Sequence, residues 1–202
     1  MPESFNPWKP HPWHGLDPGP NPPELLNAII EITPFDGLKY EVDKTTGYLR
    51  VDRPQTGSAL PPTAYGFIPR TLAGESVGRL MPDSRGGDGD PLDITVISER
   101  PVTRAEVLLH ARVLGGIPML DHGLADDKIV AVLKGDQLYG HMRDLEQLPV
   151  AVVDRLVHYF STYKLKIGEP KGAVEVGTPY GFEHASRVVL SAIQDYVDHF
   201  MG

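Results

Sequence analysis

The feature that most constrains this chain is a short acidic stretch directly before a β-prone run. Residues 88–93 read Asp-Gly-Asp-Pro-Leu-Asp, and residues 94–97 read Ile-Thr-Val-Ile. Gly89 allows a tight bend between the first two carboxylates, and Pro91 marks the change from loop to strand because it has no N–H to donate to a sheet. The sequence therefore predicts a group of carboxylates on a short loop at the edge of a sheet.

Three carboxylates within six residues repel one another, which raises their pKa values unless cations lie among them. Oxygen ligands are the ones that Mg²⁺ and Mn²⁺ prefer, so the stretch predicts a multivalent metal site. The alternative is a solvated acidic turn, in which Asp and Gly are common. An EF-hand calcium loop is excluded, because its sixth position is Gly whereas the third Asp stands there in this stretch.

This stretch resembles the D-x-D-P-x-D signature of the soluble family I inorganic pyrophosphatases. Further segments similar to that family follow in the same order between about residue 24 and about residue 190, namely residues 30–32, 38–43, 51–53, 64–68, 121–128 and 163–164. The resemblance implies hydrolysis of inorganic pyrophosphate to two phosphates by several Mg²⁺ ions, with Mn²⁺ as a possible substitute, and a metal-activated water. The sequence departs from the family at Pro61, where a Tyr is frequent, and at His122, where many relatives have an acid.

The resemblance implies roles for the acidic side chains. Asp90 is expected to be the general base. The expected metal ligands are the other acids of the matching segments, Asp88, Asp93, Asp121, Asp126 and Glu31. Among them, Asp88, Asp93 and Asp126 are expected to hold the tightest ion, Asp121 and Asp126 an ion that arrives with the substrate, and Glu31 a further ion through water.

The resemblance also implies a set of cationic and tyrosine side chains that bind the phosphates. This set consists of Lys39, Arg53, Tyr65, Lys128, Tyr163 and Lys164, of which Lys39, Arg53 and Tyr163 are expected to act in catalysis as well. Glu41 is expected to orient Lys39, and Lys171 is a weaker candidate. For Lys39, Glu41 and Arg53 the alternative is a polar sheet face with cross-strand ion pairs.

Length and composition bound the remaining possibilities. The chain has 202 residues and no internal linker, which predicts a proline-rich arm over residues 1–23 and a single domain over residues 24–202. It has no Cys, no long apolar run and no charged-then-apolar leader, so we expect a cytoplasmic protein without a membrane span. The resemblance implies a homo-oligomer, with a hexamer favoured and a dimer possible.

The net charge of −8 argues against a nucleic-acid partner, because a basic stripe is expected on such a surface. Three or four divalent cations supply about +6 to +8, which is enough to admit an anionic substrate into an acidic pocket. The alternative function is an OB-like oligonucleotide-binding module without catalysis, since a small closed sheet also suits that task. No P-loop and no H-E-x-x-H zinc helix occur in the sequence.

Hydrophobic periodicity predicts the secondary structure. Strands are predicted at residues 25–32, 92–98, 106–114 and 128–133, with a hairpin over 38–53 that turns at residues 45–47. Apolar residues at helical spacing predict one helix through Leu148 and Phe160 and a second over residues 182–201, which carries Ala185, Val189, Ile193, Val197 and Phe200 inward. Residues 71–87 are expected to form a surface excursion, and Trp13 to pack on the body or a neighbouring subunit. His11 and His14 are expected to cap turns or to face solvent rather than to bind metal.

The fold class predicted from these elements is mainly β with α+β elements. The resemblance implies a closed OB-like β-barrel flanked by two main helices near the C-terminus, with the site at one mouth of the barrel.

Overall fold

The computed structural model describes residues 8–55, 57, 60–164 and 173–202. The described strands are β1 (Leu25–Ile32), β2 (Leu38–Val42), β3 (Leu49–Pro54), β4 (Ala64–Phe67), β5 (Asp93–Ile97), β6 (Val107–Ile117), β7 (Met119–Asp121), β8 (Leu124–Ala125), β9 (Lys128–Leu133), β10 (Val174–Val176) and β11 (Tyr180–Gly181). The described helices are α1 (Glu75–Gly78), α2 (Val150–Thr162) and α3 (Phe182–Phe200), with a 3₁₀ turn at Leu145–Gln147. No helix in this part of the chain is long and apolar enough to cross a membrane.

Five strands form a closed barrel. They pair in the order β1, β4, β5, β9, β6, and the antiparallel pairing of β6 with β1 closes the ring. Only the β5–β9 pair within this ring is parallel. The predicted mainly β fold with a closed barrel and two main helices near the C-terminus is therefore confirmed.

The alternation of side chains along the strands gives the barrel two apolar faces. On β9, Ile129 and Ala131 belong to a buried cluster that includes α3, whereas Val130 and Val132 belong to a second cluster that includes α2. Successive side chains of a strand point to opposite faces, so a strand that is apolar throughout is buried on both sides. This explains why β9 reads as an unbroken apolar run after Lys128.

The predicted strands and both predicted helices are present, but the buried face of α3 differs from the prediction. Val188, Ala192 and Tyr196 are buried, whereas Val197 and Phe200 are 39% and 43% exposed. Four residues turn an α-helix by about 40° more than one revolution, so a row spaced by four drifts off the contact face. The prediction that Val197 points inward was wrong for this reason, and Phe200 is only partly covered, by ring contacts that include Trp13.

The prediction that residues 71–87 form a surface excursion was wrong for residues 71–78, whereas Pro82, Asp83 and Arg85 further along are exposed. Thr71, Leu72, Ala73 and Val77 are buried, and the Leu72 N–H donates to the carbonyl of Ala192 on α3 at 2.9 Å. The many Gly and Pro residues of this part of the chain suggested a loop, but its few apolar side chains are enough to anchor it on α3. The first half of the segment therefore belongs to the core, and its second half leads directly into residue 88.

The described part of the N-terminal arm packs on the body of the same chain. Trp13 is buried, its Nε1 donates to the carbonyl of Thr71 at 2.8 Å, and its ring contacts Phe200 edge-on. Nδ1 of His11 accepts the N–H groups of Trp13 and His14, so His11 caps a turn as expected. The division of the chain at residue 23 stays a prediction.

Candidate active site

One cavity collects most of the predicted site residues at a mouth of the barrel. The β2–β3 hairpin, β4, the loop before β5, the loop before β9 and the end of α2 contribute to its walls. Nine predicted residues line it, namely Glu31, Lys39, Tyr65, Asp88, Asp90, Asp93, Asp126, Tyr163 and Lys164. The other three contact or pair with lining residues: Lys128 contacts Asp126, Asp121 contacts Lys164, and Arg53 lies opposite Lys39 in the β2–β3 hairpin.

The first acidic loop, residues 88–93, bends at Gly89, whose φ of +78° is the left-handed conformation that favours glycine. The bend lets the Asp90 N–H donate to Oδ1 of Asp88 at 3.0 Å. Ala73 holds the loop from below: its N–H donates to the Asp90 carbonyl at 2.7 Å, and its carbonyl accepts from the Gly89 N–H at 2.9 Å. The loop conformation is thus set by backbone contacts with the segment over residues 71–87.

Lys128 lies fully buried between two of the carboxylates. Parallel pairing of β5 with β9 places it opposite Asp93, and its Nζ donates to Oδ2 of Asp93 at 2.5 Å and also to Oδ1 of Asp126. The same Asp93 oxygen accepts from the Tyr65 hydroxyl at 2.5 Å. Burial favours the neutral amine, but Asp126 and Asp93 outweigh it and raise the pKa of Lys128 well above its usual value.

The second acidic loop, residues 121–126, is neutralised by lysines. Nζ of Lys164, at the end of α2, donates to Asp121 at 2.6 Å and to Asp126 at 2.9 Å. Burial raises the pKa of Asp126, but Lys128 and Lys164 together hold it well below its usual range. His122 is mostly exposed and its Nδ1 lies 2.7 Å from Oδ1 of Asp121.

Two acidic side chains in the cavity have no such cation. Within the described ranges, Asp88 and Glu31 form no salt bridge, and Glu31 accepts the Val42 N–H at 2.6 Å. Burial, followed by the nearby charge of Asp126, raises the pKa of Asp88 to about 7. Burial, only partly opposed by the Val42 N–H and reinforced by Asp93, raises that of Glu31 to about 8. The cavity therefore holds carboxylates whose ionised forms the described lysines do not balance.

Divalent cations fit this donor set, because hard ions are bound by carboxylate oxygens and their charge lowers the pKa of such groups. In the described part of the chain, no three His, Asp or Glu side chains converge closely enough to form a ligand group by themselves. Lys128 and Lys164 occupy the spaces between Asp93, Asp126 and Asp121 instead.

Basic and aromatic groups line the opposite side. Lys39 pairs with Asp52 at 2.9 Å and with Glu41 at 3.1 Å, so the cross-strand ion pairing that was the alternative for this face is present. Nη1 of Arg53 is buried and has no hydrogen-bond partner among the residues that the structure describes. A buried guanidinium nitrogen without an acceptor favours an anionic ligand nearby.

A sequence model of the family described as inorganic pyrophosphatase matches residues 28–197. The chain belongs to the inorganic pyrophosphatase family. It is 44% identical over 200 residues to an inorganic pyrophosphatase of Chlamydia muridarum, covering 95% of this chain and 96% of the relative. A soluble inorganic pyrophosphatase of Solanum tuberosum is 35% identical over 189 residues and covers 94% of this chain and 83% of the relative.

The fold comparison agrees. The crystal structure of the inorganic pyrophosphatase from Thermus thermophilus matches with a TM-score of 0.77 at 32% identity, over 92% of this chain and 98% of that one. The resemblance predicted from the acidic motif is confirmed, and the chain is a hydrolase of this family. Family membership also favours an enzyme over the oligonucleotide-binding module.

Several residues of this candidate site were missed from the sequence. Lys44 pairs with Asp90, Asp52 pairs with Lys39, and Gln55 and Tyr159 line the cavity. The signal for Lys44 was available, since it directly follows the alternating polar positions of β2. Lys171, the weaker phosphate-binding candidate, lies outside the described residues.

The sequence also contains a G-x-S-x-G pentapeptide at residues 74–78, the motif of serine hydrolases. In those enzymes the serine follows a strand and faces a histidine. Here Ser76 lies in α1 after a loop, and its Oγ accepts from Arg79 at 2.9 Å. No histidine hydrogen-bonds to Ser76 among the described residues, so the pentapeptide has no nucleophile geometry.

Proposed function

We propose that this chain hydrolyses inorganic pyrophosphate to two phosphates in this cavity, with several Mg²⁺ ions as cofactor and Mn²⁺ as a possible substitute. The observation that carries the proposal is the meeting of unbalanced carboxylates and basic side chains in one cavity of a chain from this family. Pyrophosphate offers only charged oxygens for recognition, so its hydrolysis depends on charge neutralisation and on an in-line water.

The proposed metal ligands are Asp88, Asp93, Asp121, Asp126 and Glu31. When bound, the cations neutralise phosphate oxygens and make water more acidic. Their fit is supported by the raised pKa values of Asp88 and Glu31 in the metal-free chain. Asp90 lies on the same loop but is half exposed and makes no contact with the buried Lys128, which suits the role of a base that takes the proton of the attacking water.

The proposed phosphate-binding groups are Lys39, Arg53, Tyr65, Lys128, Tyr163 and Lys164. The buried and unpaired Nη1 of Arg53 gains an acceptor when a phosphate oxygen approaches. Lys39 is held towards the cavity by Glu41 and Asp52. Tyr163 stacks on Tyr159, with ring centroids 5.2 Å apart, which fixes its ring at the cavity wall.

We further propose that the enzyme acts as a homo-oligomer, with a hexamer favoured over a dimer, and that its compartment is the cytoplasm. These two proposals rest on the family and on the absence of Cys from the sequence.

The experiment that tests the proposed function is phosphate release from pyrophosphate and from ATP, each with Mg²⁺ and with excess EDTA. We expect rapid release from pyrophosphate with Mg²⁺, almost none with EDTA and almost none from ATP. An Asp90→Asn variant purified in the same way controls for contaminating enzyme. Turnover of ATP comparable to that of pyrophosphate would refute the proposal, as would oligonucleotide binding that weakens steeply with salt in a chain that releases no phosphate.

A further inference from the structure

Lys44 reaches from the turn between β2 and β3 to the first acidic loop. Its Nζ forms an ion pair with Oδ1 of Asp90, and its side chain lines the cavity. Within the described residues, no other cationic side chain contacts Asp90, whereas Lys39 and Lys164 are paired with other carboxylates. Lys44 is therefore the one cation in the described cavity that faces the proposed general base.

Hydrogen bonds and packing against the N-terminal arm fix the conformation of the turn that carries Lys44. The Asp43 carboxylate accepts the N–H of Thr46 at 2.8 Å and its hydroxyl at 2.7 Å. Gly47 has a φ of +73°, and a Cβ added there would come within 2.8 Å of Cδ of Pro12 and 3.0 Å of Cδ2 of His11. The N-terminal arm thus supports the turn from behind, and the backbone next to Lys44 is held in place.

Stability alone does not account for this arrangement. The side chains of Lys44 and Asp90 are 54% and 52% exposed, and ion pairs exposed to this extent contribute little to folding because water and salt screen them. The carboxylate of Asp90 has no hydrogen-bond donor besides Lys44 among the described residues. Without that contact, a half-exposed Asp side chain is free to change rotamer.

On the basis of the proposed function, we infer that Lys44 is a positioning residue that holds the carboxylate of Asp90 in place for pyrophosphate hydrolysis. It acts through Asp90 and not by binding phosphate. A displacement of about 1 Å at a reacting group costs up to about 100-fold in rate, so the loss of one exposed contact should lower kcat by about tenfold.

The test compares Lys44→Gln, Lys44→Arg and the control Lys9→Gln at saturating Mg²⁺. Lys9 is a matched control, because it also forms an exposed ion pair, with Glu106 at 3.5 Å, away from the acidic loops. We expect Lys44→Gln to lower kcat about tenfold with KM for pyrophosphate within about twofold, and Lys44→Arg to restore most of kcat. Lys9→Gln should match the wild type, and all thermal unfolding midpoints should agree within about 2 °C.

A double-mutant cycle separates positioning from phosphate binding. If Lys44 acts through Asp90, adding Lys44→Gln to Asp90→Asn causes no further loss of kcat. The inference is overturned if Lys44→Gln leaves kcat unchanged, if it raises KM alone, or if it lowers the kcat of Asp90→Asn by the same factor as that of the wild type. Failure of the proposed function is a separate result, since the wild-type chain would then release no phosphate at all.

Discussion

The first acidic loop carries three carboxylates and the second carries two, and the loops differ in what balances them. In the second loop, residues 121–126, Lys164 bridges Asp121 and Asp126, and Lys128 donates to Asp126 as well. In the first loop, residues 88–93, Asp88 has no salt-bridge partner in the described part of the chain, and its pKa is raised to about 7 by burial. In the first loop Lys128 also pairs with Asp93 and Lys44 with Asp90, so the two loops differ in Asp88, the one carboxylate of either loop range that no described lysine or arginine balances.

This difference shows that partners, more than the number of carboxylates, decide where a cation is needed. A divalent ion at the first loop gains the attraction of Asp88, whose charge no described lysine or arginine balances. At the second loop a divalent ion must compete with the ammonium groups of Lys128 and Lys164 for the same carboxylates. This competition ends when the two lysines bind an anionic ligand instead. We therefore expect the tightest cation at the first loop and a substrate-linked cation at the second.

The largest expected effect separates two aspartates of the first loop. Asp90→Asn should lower kcat by about 10²- to 10⁴-fold, the usual scale for loss of a general base, with metal binding nearly intact. Asp93→Asn should weaken Mg²⁺ binding itself, because an amide keeps the shape but not the charge that holds a hard cation. Steady-state rates over a wide range of Mg²⁺ concentrations measure both.

The Asp93→Asn defect should be partly relieved at high Mg²⁺, and the Asp90→Asn defect should not. Recovery of Asp90→Asn to near wild-type turnover in excess Mg²⁺ would show that Asp90 is a ligand and that the assignment of roles within the loop is wrong.

A second prediction tests the support beneath the first loop. The buried Asp195 on α3 accepts the N–H groups of Ser76 at 3.0 Å and Val77 at 3.1 Å, and this segment carries the loop. Asp195→Ala should lower the free energy of unfolding by about 1.5–3 kcal/mol, because hydrogen bonds to a buried charge are lost. Chemical denaturation measures this, with the exposed Asp198→Ala as the control that should change stability little.

Weaker Mg²⁺ binding at the first loop in Asp195→Ala would show that the hydrogen bonds of Asp195 also support the metal-binding conformation of that loop. Stability equal to that of Asp198→Ala would mean that α3 does not anchor the segment.

A third prediction concerns pH in the metal-free protein. The folded-state pKa of Asp88, about 7, exceeds its ordinary value of 3.8, so the folded chain binds its proton more tightly than the unfolded chain. The ionisation of Asp88 therefore lowers the free energy of unfolding as pH rises between about 4 and about 7. The effect of Asp121 on stability has the opposite sign. Burial raises its pKa, but Lys164 outweighs burial and lowers the pKa below its ordinary value of 3.8. The stability that Asp121 contributes is therefore lost only as pH falls below the ordinary pKa range of aspartate.

Thermal unfolding in EDTA measures the effect. Asp88→Asn should flatten the fall in melting temperature between about pH 5 and about pH 7, whereas Asp121→Asn should keep the wild-type slope there. Equal slopes for the wild type and Asp88→Asn would contradict the raised pKa.

Local patterns predicted the elements that depend on local physics. The mostly apolar run of β1, the turn before Gly47 and the helical spacing through Leu156 each depend on residues that are close in sequence. The acidic loops were equally visible, because their carboxylates are close in sequence. The roles of Lys39, Arg53 and Tyr163 came from the resemblance and stay predictions.

Contacts between distant segments could not be predicted in this way. Asp195 lies 119 residues from Ser76, and Lys44 lies 46 residues from Asp90. Nothing in the periodicity of either segment indicates its partner. The segment over residues 71–87 has the composition of a loop, and only the packing of its first half on α3 makes that half part of the core.

The most direct test of the difference between the two loops is calorimetric titration of Mg²⁺ into the substrate-free wild type, Asp88→Asn and Asp121→Asn. We expect Asp88→Asn to weaken the tightest site by about 10- to 100-fold and Asp121→Asn to leave it within about threefold, since the lysines already balance the second loop. A tightest site that survives Asp88→Asn but is weakened tenfold or more by Asp121→Asn would contradict this account.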